Sequence, residues 1–130
     1  MSNSKRGRLG EEFVVRHLEK NGFETVALNY HSKFGEIDII AENDEYIVFV
    51  EVKTRRSGSM VRPAEAVNSS KIRKILGTVK SFLLERPDAR SLQPRFDVAE
   101  VVFEKGLYTL NYIEAAFDAE LGEMGDFGEF

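Results

Sequence analysis

The chain contains no cysteine and no long uninterrupted run of apolar residues. Without cysteine, disulfides and thiolate zinc sites are excluded. A membrane-spanning helix needs about 20 consecutive, mostly apolar residues, and no such stretch is present. We therefore expect a protein without membrane spans, and its 130 residues are enough for one domain with its own apolar core.

Several motifs that mark common enzyme classes are also missing. We find no internal repeat, no Gly-rich phosphate loop, no Ser/His/Asp set and no histidine pair with metal-ligand spacing. The first residues, MSNSKRGRLGEEF, are basic, but neither an apolar segment nor a cleavage-like site follows them. They are not typical of a secretory signal, so we expect a cytoplasmic protein.

The net charge of −4 is unevenly distributed along the chain. Residues 113–130 hold six of the 22 acids and no Lys or Arg, so residues 1–112 carry 16 acids against all 18 basic residues. We expect a mildly basic domain over 1–112 and an acidic tail over 113–130. Such a tail is typical of a solvated, partly disordered terminus; the alternative is a nucleic-acid mimic that competes for the basic domain.

Two apolar segments joined by a polar link form the most informative part of the sequence. Ile37–Ala41 and Tyr46–Lys53 are rich in β-branched and aromatic residues, and Glu42–Glu45 between them suits a turn. The pattern predicts a hairpin of two strands that are buried on both faces.

Three charged residues, Asp38, Glu51 and Lys53, interrupt these strands. With the turn centred between Asp44 and Glu45, Asp38 lies opposite Glu51; with a turn one residue tighter, the two acids are diagonal neighbours on the same face. Lys53 shares the face of Glu51 because side chains alternate. Like charges at opposed positions are destabilising. A proton on one acid, the ammonium of Lys53, or a divalent cation such as Mg²⁺ or Mn²⁺ would each relieve the repulsion.

The remaining periodicities predict an α/β protein. The expected elements are a helix over Gly7–Asn21, a strand over Phe23–Tyr30, one helical turn over Pro63–Val67, a helix over Lys71–Glu85, and strands over Arg95–Phe103 and Leu107–Ile113. The order α-β-β-β-α-β-β implies a mixed sheet flanked by helices.

Two groups of basic residues lie next to these elements. Arg55 and Arg56 follow the second hairpin strand, and Lys71, Arg73 and Lys74 open the second helix, where the helix dipole disfavours cations. Bound phosphates would offset the unfavourable interaction of these three cations with the dipole, and the two arginines lie beside the carboxylate pair, where an anionic substrate would bind. We therefore expect all five to bind nucleic acid. The alternatives are a mobile surface loop and a solvated charged helix face.

Four isolated residues allow both a structural and a functional interpretation. Glu11 suits the helix dipole as an early helix acid, or it leans over the sheet toward Asp38. His17 is expected to pack against the apolar core, and His31 lies in a loop where it can touch a phosphate. Asp97 is expected to be a structural partner of a basic residue, because nothing local gives it a catalytic role.

The order of elements and the Asp and Glu-x-Lys pair resemble the PD-(D/E)xK nuclease superfamily, whose restriction-endonuclease-like core runs helix, three strands, helix, strand. The blocks GRLGEEFVVRHLEKNGF, GEIDIIA, FVEVKTR and RFDV resemble the YraN-like family of small bacterial proteins, predicted endonucleases related to archaeal Holliday junction resolvases. The proline that names the superfamily is absent, since Glu36 and Ile37 precede Asp38.

This resemblance implies that Asp38 and Glu51 bind the metal, that Lys53 orients or activates the attacking water, and that Glu11 assists the metal from the helix. The expected function is Mg²⁺- or Mn²⁺-dependent hydrolysis of DNA at branched or junction structures, for which a two-fold dimer is suited. A non-catalytic nucleic-acid-binding or protein-interaction module is the alternative, and a domain held by a buried ion-pair network is a third interpretation.

Overall fold

A five-stranded sheet with a helix packed on each face makes up the computed structural model of the chain, which describes residues 3–56 and 69–116. Its elements are α1 (Asn3–Lys20), β1 (Glu24–Ser32), β2 (Gly35–Glu42), β3 (Tyr46–Arg56), α2 (Ser69–Glu85), a short 3₁₀ helix (Pro87–Ser91), β4 (Gln93–Glu104) and β5 (Leu107–Ile113). The predicted order α-β-β-β-α-β-β is confirmed.

The strands lie side by side in chain order, β1-β2-β3-β4-β5. All neighbours are antiparallel except β3 and β4, which are parallel and separated in the chain by α2. A parallel pair needs such a long crossover, because a tight turn returns the chain only in the opposite direction. The predicted mixed sheet is therefore confirmed, and it is consistent with a restriction-endonuclease-like α/β fold.

The β2–β3 hairpin has the register expected from a turn centred between Asp44 and Glu45, with Ile39 opposite Val50. The side chain of Asn43 fixes the turn: its Oδ1 accepts hydrogen bonds from the backbone N–H groups of Glu45 (2.9 Å) and Tyr46 (2.7 Å). Asn is common in turns because its side chain can bond the backbone two residues on. Local turn chemistry thus determines which residues of the two strands face each other.

Strand β3 is buried on both faces, as its apolar composition predicts. Ile47 and Phe49 belong to the core that packs against α2, whereas Val48 and Val50 belong to the core that packs against α1. This alternation follows from the two-residue period of a strand. The charged residues Glu51 and Lys53 therefore follow directly after the most buried part of the strand.

Element boundaries differ from the predicted ones by a few residues. Helix α1 begins four residues earlier than expected. Strand β1 continues through Ser32, β3 continues through Arg56 and β4 starts at Gln93, because strand pairing extends past the apolar segments.

Arg55 and Arg56 lie within β3 as a result of this extension, whereas the prediction placed them after it. His31 consequently lies in a strand and not in the predicted loop. The helical turn predicted over Pro63–Val67 and the tail from residue 117 onward lie outside the described residues.

No helix in the described ranges combines the length and the hydrophobicity that a membrane span requires.

Candidate functional site

The ladder between β2 and β3 stops at Ile39 and Val50, and the side chain of Asp38 takes over at the next position. One oxygen of Asp38, Oδ2, accepts a hydrogen bond of 2.8 Å from the backbone N–H of Val52. In a continued ladder that N–H would bond a backbone carbonyl of β2. The carboxylate of Asp38 therefore lies in the opening between the two strands.

Glu51, on β3, supplies the second carboxylate. Its Oε1 forms ion pairs with the ammonium groups of Lys53, at 3.2 Å, and of Lys71. Its Oε2 is buried and has no hydrogen-bond partner in the part of the chain that the structure describes. A buried carboxylate oxygen without a partner is unfavourable, so the arrangement has room for a further cation or donor.

Burial and neighbouring charges shift the pKa values of Asp38 and Lys53. Burial is the main cause that raises the pKa of Asp38 above its usual range; the N–H of Val52 acts against it, and the charge of Glu51 adds to it. Burial by itself lowers the pKa of Lys53, but the charge of Glu51 and the hydrogen bond to it outweigh burial and raise that pKa. The site therefore keeps its lysine charged and makes the charged form of Asp38 unfavourable.

Asp38, Glu51 and Lys71 line one cavity of about 100 Å³, together with Glu36. A single water needs roughly 10–15 Å³ of such space, so the cavity accommodates an ion with several waters. Carboxylate oxygens with water are the ligands that Mg²⁺ and Mn²⁺ prefer. The two acids and the unpartnered Oε2 of Glu51 thus fit a divalent cation.

Glu11 reaches this region from α1. Its Oε1 accepts a long hydrogen bond, 3.4 Å, from the side-chain amide of Asn29. Burial is the main cause that raises the pKa of Glu11, and the charge of Asp38 is the second. Within residues 3–56 and 69–116, however, no three His, Asp or Glu side chains gather closely enough to hold a metal ion between them. The assisting role of Glu11 stays a prediction.

The sequence gives no indication that Asn29 contacts a candidate site residue. It is one of the few non-glycine residues with a positive φ, at 49°. Asn tolerates this left-handed conformation better than most residues because its short side chain bonds nearby groups. The conformation directs the Asn29 amide toward Glu11, a relation that depends on where β1 lies next to α1.

The structure divides the five predicted phosphate-binding cations into two classes. Lys71 is paired with Glu51, and Arg55 is paired with Glu100, a buried acid on β4. Glu100 was not identified from the sequence, although an acid within an apolar strand is a pattern that indicates a buried, paired carboxylate. The other three cations are exposed: Arg56, Arg73 and Lys74.

Both histidines have neighbours in the structure. The ring of His17 packs against Tyr112 with centroids 5.1 Å apart, which confirms the expected packing role. His31 is exposed, and its Nδ1 lies 3.2 Å from a carboxylate oxygen of Glu36. Glu36 also lines the cavity, so His31 contacts one of the residues around it.

Asp97 is the predicted partner of a basic residue. Its carboxylate accepts hydrogen bonds from the guanidinium of Arg95 (2.9 to 3.2 Å), the hydroxyl of Tyr112 (2.6 Å) and the backbone N–H of Ala115 (3.0 Å). Ala116 also donates its N–H to the carbonyl of Phe96 at 2.8 Å. Asp97 therefore holds the chain that follows β5 against β4.

Comparison with known proteins identifies relatives over most of the chain. The model of the family described as "Uncharacterised protein family UPF0102" matches residues 10–101. A UPF0102 protein of Alkaliphilus oremlandii is 42% identical over 116 residues, which cover 88% of this chain and 99% of the relative. One of Alkaliphilus metalliredigens is 46% identical, covering 85% and 96%, and one of Persephonella marina is 37% identical, covering 88% and 95%.

A solved structure titled "Crystal structure of SSO0001" is 12% identical, and the match covers 95% of this chain and 57% of that one. Its TM-score of 0.33 is too low to support a conclusion about fold or function. The family match and the relatives agree with the likeness of the sequence blocks. The chain therefore belongs to the uncharacterised protein family UPF0102, which is the YraN-like family.

Proposed function

We propose that this protein is a divalent-metal-dependent nuclease that hydrolyses phosphodiester bonds of DNA. The observation that carries the proposal is the carboxylate of Glu51, which has a charged lysine on one oxygen and a buried, unpartnered second oxygen. It lines the same cavity as Asp38. Two acids and an ammonium at one opening of a sheet suit phosphate chemistry better than simple packing.

Asp38 and Glu51 are the residues that would hold the ion, Mg²⁺ or Mn²⁺. When bound, such an ion polarises a phosphoryl oxygen and lowers the pKa of a bound water. Asp38 is prepared for this role by the N–H of Val52, which fixes one of its oxygens. Its other oxygen and Oε2 of Glu51 are then the natural ligand atoms.

Lys53 acts as a charged hydrogen-bond donor. Because its pKa is raised, its side chain is an ammonium at neutral pH and has no free electron pair with which to accept a proton. Of the two roles suggested for this lysine, orientation of the water and stabilisation of negative charge therefore fit better than abstraction of a proton. The ion pair with Glu51 fixes the ammonium at the opening.

The exposed cations supply the contacts to flanking phosphates. Arg56 ends β3, and Arg73 and Lys74 lie in the first two turns of α2. Their contacts would give affinity that falls with salt and depends little on sequence. The choice of DNA, and of branched DNA in particular, rests on the resemblance to the junction resolvases. A two-fold dimer would present two sites to one junction.

Cleavage of labelled DNA tests the proposal. We would compare a four-way junction, a single strand and a duplex in Mn²⁺ and in Mg²⁺, with the parent protein, Lys53→Ala and the control Lys20→Ala. Lys20 is an exposed lysine in the last turn of α1, so its removal changes the charge equally but leaves the site intact. Loss of one charge-stabilising donor typically lowers the rate by about 10²- to 10³-fold.

We expect the parent and Lys20→Ala to cut one of the substrates, Lys53→Ala to lose at least about 100-fold of that activity, and a chelator to stop cleavage. Absence of cutting by the parent in either metal, or equal cutting by Lys53→Ala, would contradict the proposal.

One observation favours the alternative of a non-catalytic module. Glu36 lines the same cavity, but in the described ranges no third carboxylate lies close enough to Asp38 and Glu51 to hold an ion with them, and two ammonium groups already neutralise Glu51. A protein with only an ion-pair network at this place would bind nucleic acid through its exposed cations and cut none of the substrates. Salt-dependent binding without cleavage is the result that identifies this case.

A further inference from the structure

Two ammonium groups approach the same oxygen of Glu51. Lys53 reaches Oε1 from two residues further along β3, and Lys71 reaches it from the first turn of α2. The second oxygen, Oε2, is left buried and unpartnered in the described structure. Two like charges therefore crowd one oxygen of the carboxylate while the other, in the described ranges, lacks a hydrogen-bond partner, which is not the arrangement of a saturated structural ion pair.

We propose that Lys71 is a displaceable counter-ion: it pairs with Glu51 when the site holds no metal, leaves when a divalent cation binds there, and then pairs with a phosphate of the nucleic acid. This inference rests on the proposed function, because it assumes that Asp38 and Glu51 are the metal ligands.

Electrostatics gives the direction of the exchange. A doubly charged ion beside Glu51 repels a nearby ammonium and offers the carboxylate a stronger partner than a single charge does. Lys53 and Lys71 together already place two positive charges beside Glu51. Once the ion is bound, Glu51 no longer needs both ammonium groups to balance its charge.

Lys71 is the lysine that can leave. Exposure does not separate the two lysines, whose side chains are 31% and 35% exposed, but Lys71 reaches Glu51 from a different element, α2, whereas Lys53 is held beside it on β3. A lysine stem of four carbons rotates freely enough to move the Lys71 ammonium by several ångströms. Lys71 also belongs to the helix end that carries the exposed Arg73 and Lys74. A phosphate lying along that end would meet Lys71 at its inner border, next to the cavity.

The exchange links the two ligands of the site. Because metal frees Lys71 for phosphate, bound metal tightens the binding of nucleic acid, and bound nucleic acid must tighten the binding of metal by the same factor. Removal of the Lys71 charge should make metal binding tighter in the absence of DNA.

The test is a titration of the DNA-free protein with Mn²⁺, in which free Mn²⁺ is followed by electron paramagnetic resonance. We would compare the parent with Lys71→Gln, Lys71→Arg and Lys74→Gln, after checking by thermal unfolding that each is folded. Lys71→Arg keeps the charge at that position. Lys74→Gln removes one exposed charge from the same turn region of α2.

We expect Lys71→Gln to bind Mn²⁺ about fivefold tighter than the parent, which corresponds to the upper range for a partly exposed ion pair. Lys71→Arg and Lys74→Gln should stay within about twofold of the parent, because neither removes the competing charge from Glu51. Equal or weaker binding by Lys71→Gln, with Mn²⁺ still bound by the parent, would overturn the role of Lys71 and leave the proposed metal site standing. Absence of Mn²⁺ binding by both proteins would overturn the metal site itself and the exchange with it.

Discussion

The ionised carboxylate of Asp38 lies in surroundings that are unfavourable for its charge. It is partly buried beside the acid of Glu51, and the N–H of Val52 compensates only one oxygen. Burial makes the ionised form unfavourable, which is why the pKa of Asp38 is raised. A group of this kind is expected where a ligand supplies the missing compensation.

Asp38→Asn should stabilise the metal-free protein at neutral pH. The folded state binds a proton at Asp38 more tightly than the unfolded state does, so stability falls as pH rises from the ordinary pKa of 3.8 through the raised folded value. At neutral pH the charged Asp38 is therefore destabilising, and the amide removes that charge while its oxygen can still accept from Val52. We expect a gain of about 1 kcal/mol in urea unfolding, the usual size for one favourable substitution.

The gain from Asp38→Asn should shrink below pH 3.8, where the parent carries a proton at this position in both states. A variant that is less stable than the parent at neutral pH, in the absence of divalent cations, would contradict the interpretation of Asp38 as a strained ligand.

Two Asp–Arg pairs of identical spacing allow a controlled test of burial. Arg95 and Asp97 form a pair in which the Asp side chain is 0% exposed, whereas Arg86 and Asp88 form a pair whose Asp side chain is 71% exposed. Asp97→Asn should destabilise the protein by about 3 kcal/mol, because it removes the buried counter-charge of Arg95 and leaves that guanidinium only the exposed carboxylate of Glu114, 3.5 Å away. Asp88→Asn should change stability little.

Urea unfolding of the two variants at neutral pH provides the measurement. The titration of Tyr112 gives an additional readout. Burial is the main cause that raises the pKa of this phenol, and the charge of Asp97 is the second. The phenol should titrate closer to its ordinary pKa in Asp97→Asn. Equal losses of stability in both variants would show that burial does not distinguish the two pairs.

At the residue scale, the sequence predicted which groups are charged and buried better than it predicted their partners. Asp97 was recognisable as a structural acid because it lies in an apolar strand, and its partner Arg95 is two residues away. The partners of Lys71 and Arg55 were not recognisable. Both pair with acids on other elements, and such pairs depend on packing that spacing in one element does not contain.

At the scale of elements, α1 contains two glycines in different surroundings. A Cβ on residue 10 would collide with the side-chain oxygen of Thr54 on β3, whereas a Cβ on residue 7 would have nothing within 4 Å. Gly10 therefore lets α1 approach the sheet closely, and this approach brings the neighbouring Glu11 toward the site. Gly7 has no such role in packing.

The two glycines should respond oppositely to the same substitution. Gly7→Ala should raise the free energy of unfolding by about 0.5–1 kcal/mol, because alanine is the better helix former. Gly10→Ala gains the same propensity but overpacks the contact with Thr54, which has few rotamers, and overpacking typically costs about 1–3 kcal/mol. We expect a net loss, measured by thermal or urea unfolding.

Stabilisation by both substitutions would show that α1 can move away from β3 without loss. In that case the position of Glu11 beside Asp38 would not depend on close packing of the helix.

The elements themselves followed from local signals. The short polar turn narrowed the hairpin to two registers, and the observed one is fixed by the side chain of Asn43, which did not enter the prediction. Likewise the β4–β5 turn has Lys105 and Gly106 at positive φ, as a two-residue hairpin turn requires. The break in the ladder at Asp38 was not predictable, because alternation along a strand assumes that pairing continues.

At the scale of the whole molecule, charge is arranged in regions. The exposed cations Arg56, Arg73 and Lys74 belong to the mildly basic part of the chain, while residues 113–130 hold six acids and no Lys or Arg. Such a distribution suits a polyanionic ligand in spite of the negative net charge, because attraction depends on the local field of the binding face. From sequence, the distribution of charge was readable, but the position of each charge on the folded surface was not.

The central claim is that Asp38 and Glu51 are kept together because they bind a divalent cation. A ligand that binds only the folded protein adds about 2.7 kcal/mol of stability when its concentration is 100 times the dissociation constant. For a domain of this size, that gain raises the melting temperature by roughly 5–10 °C. The most direct measurement is thermal unfolding of the parent and of Asp38→Asn with and without saturating Mg²⁺. We predict that Mg²⁺ raises the melting temperature of the parent and leaves that of Asp38→Asn almost unchanged; no rise in the parent, or the same rise in both proteins, would contradict the claim.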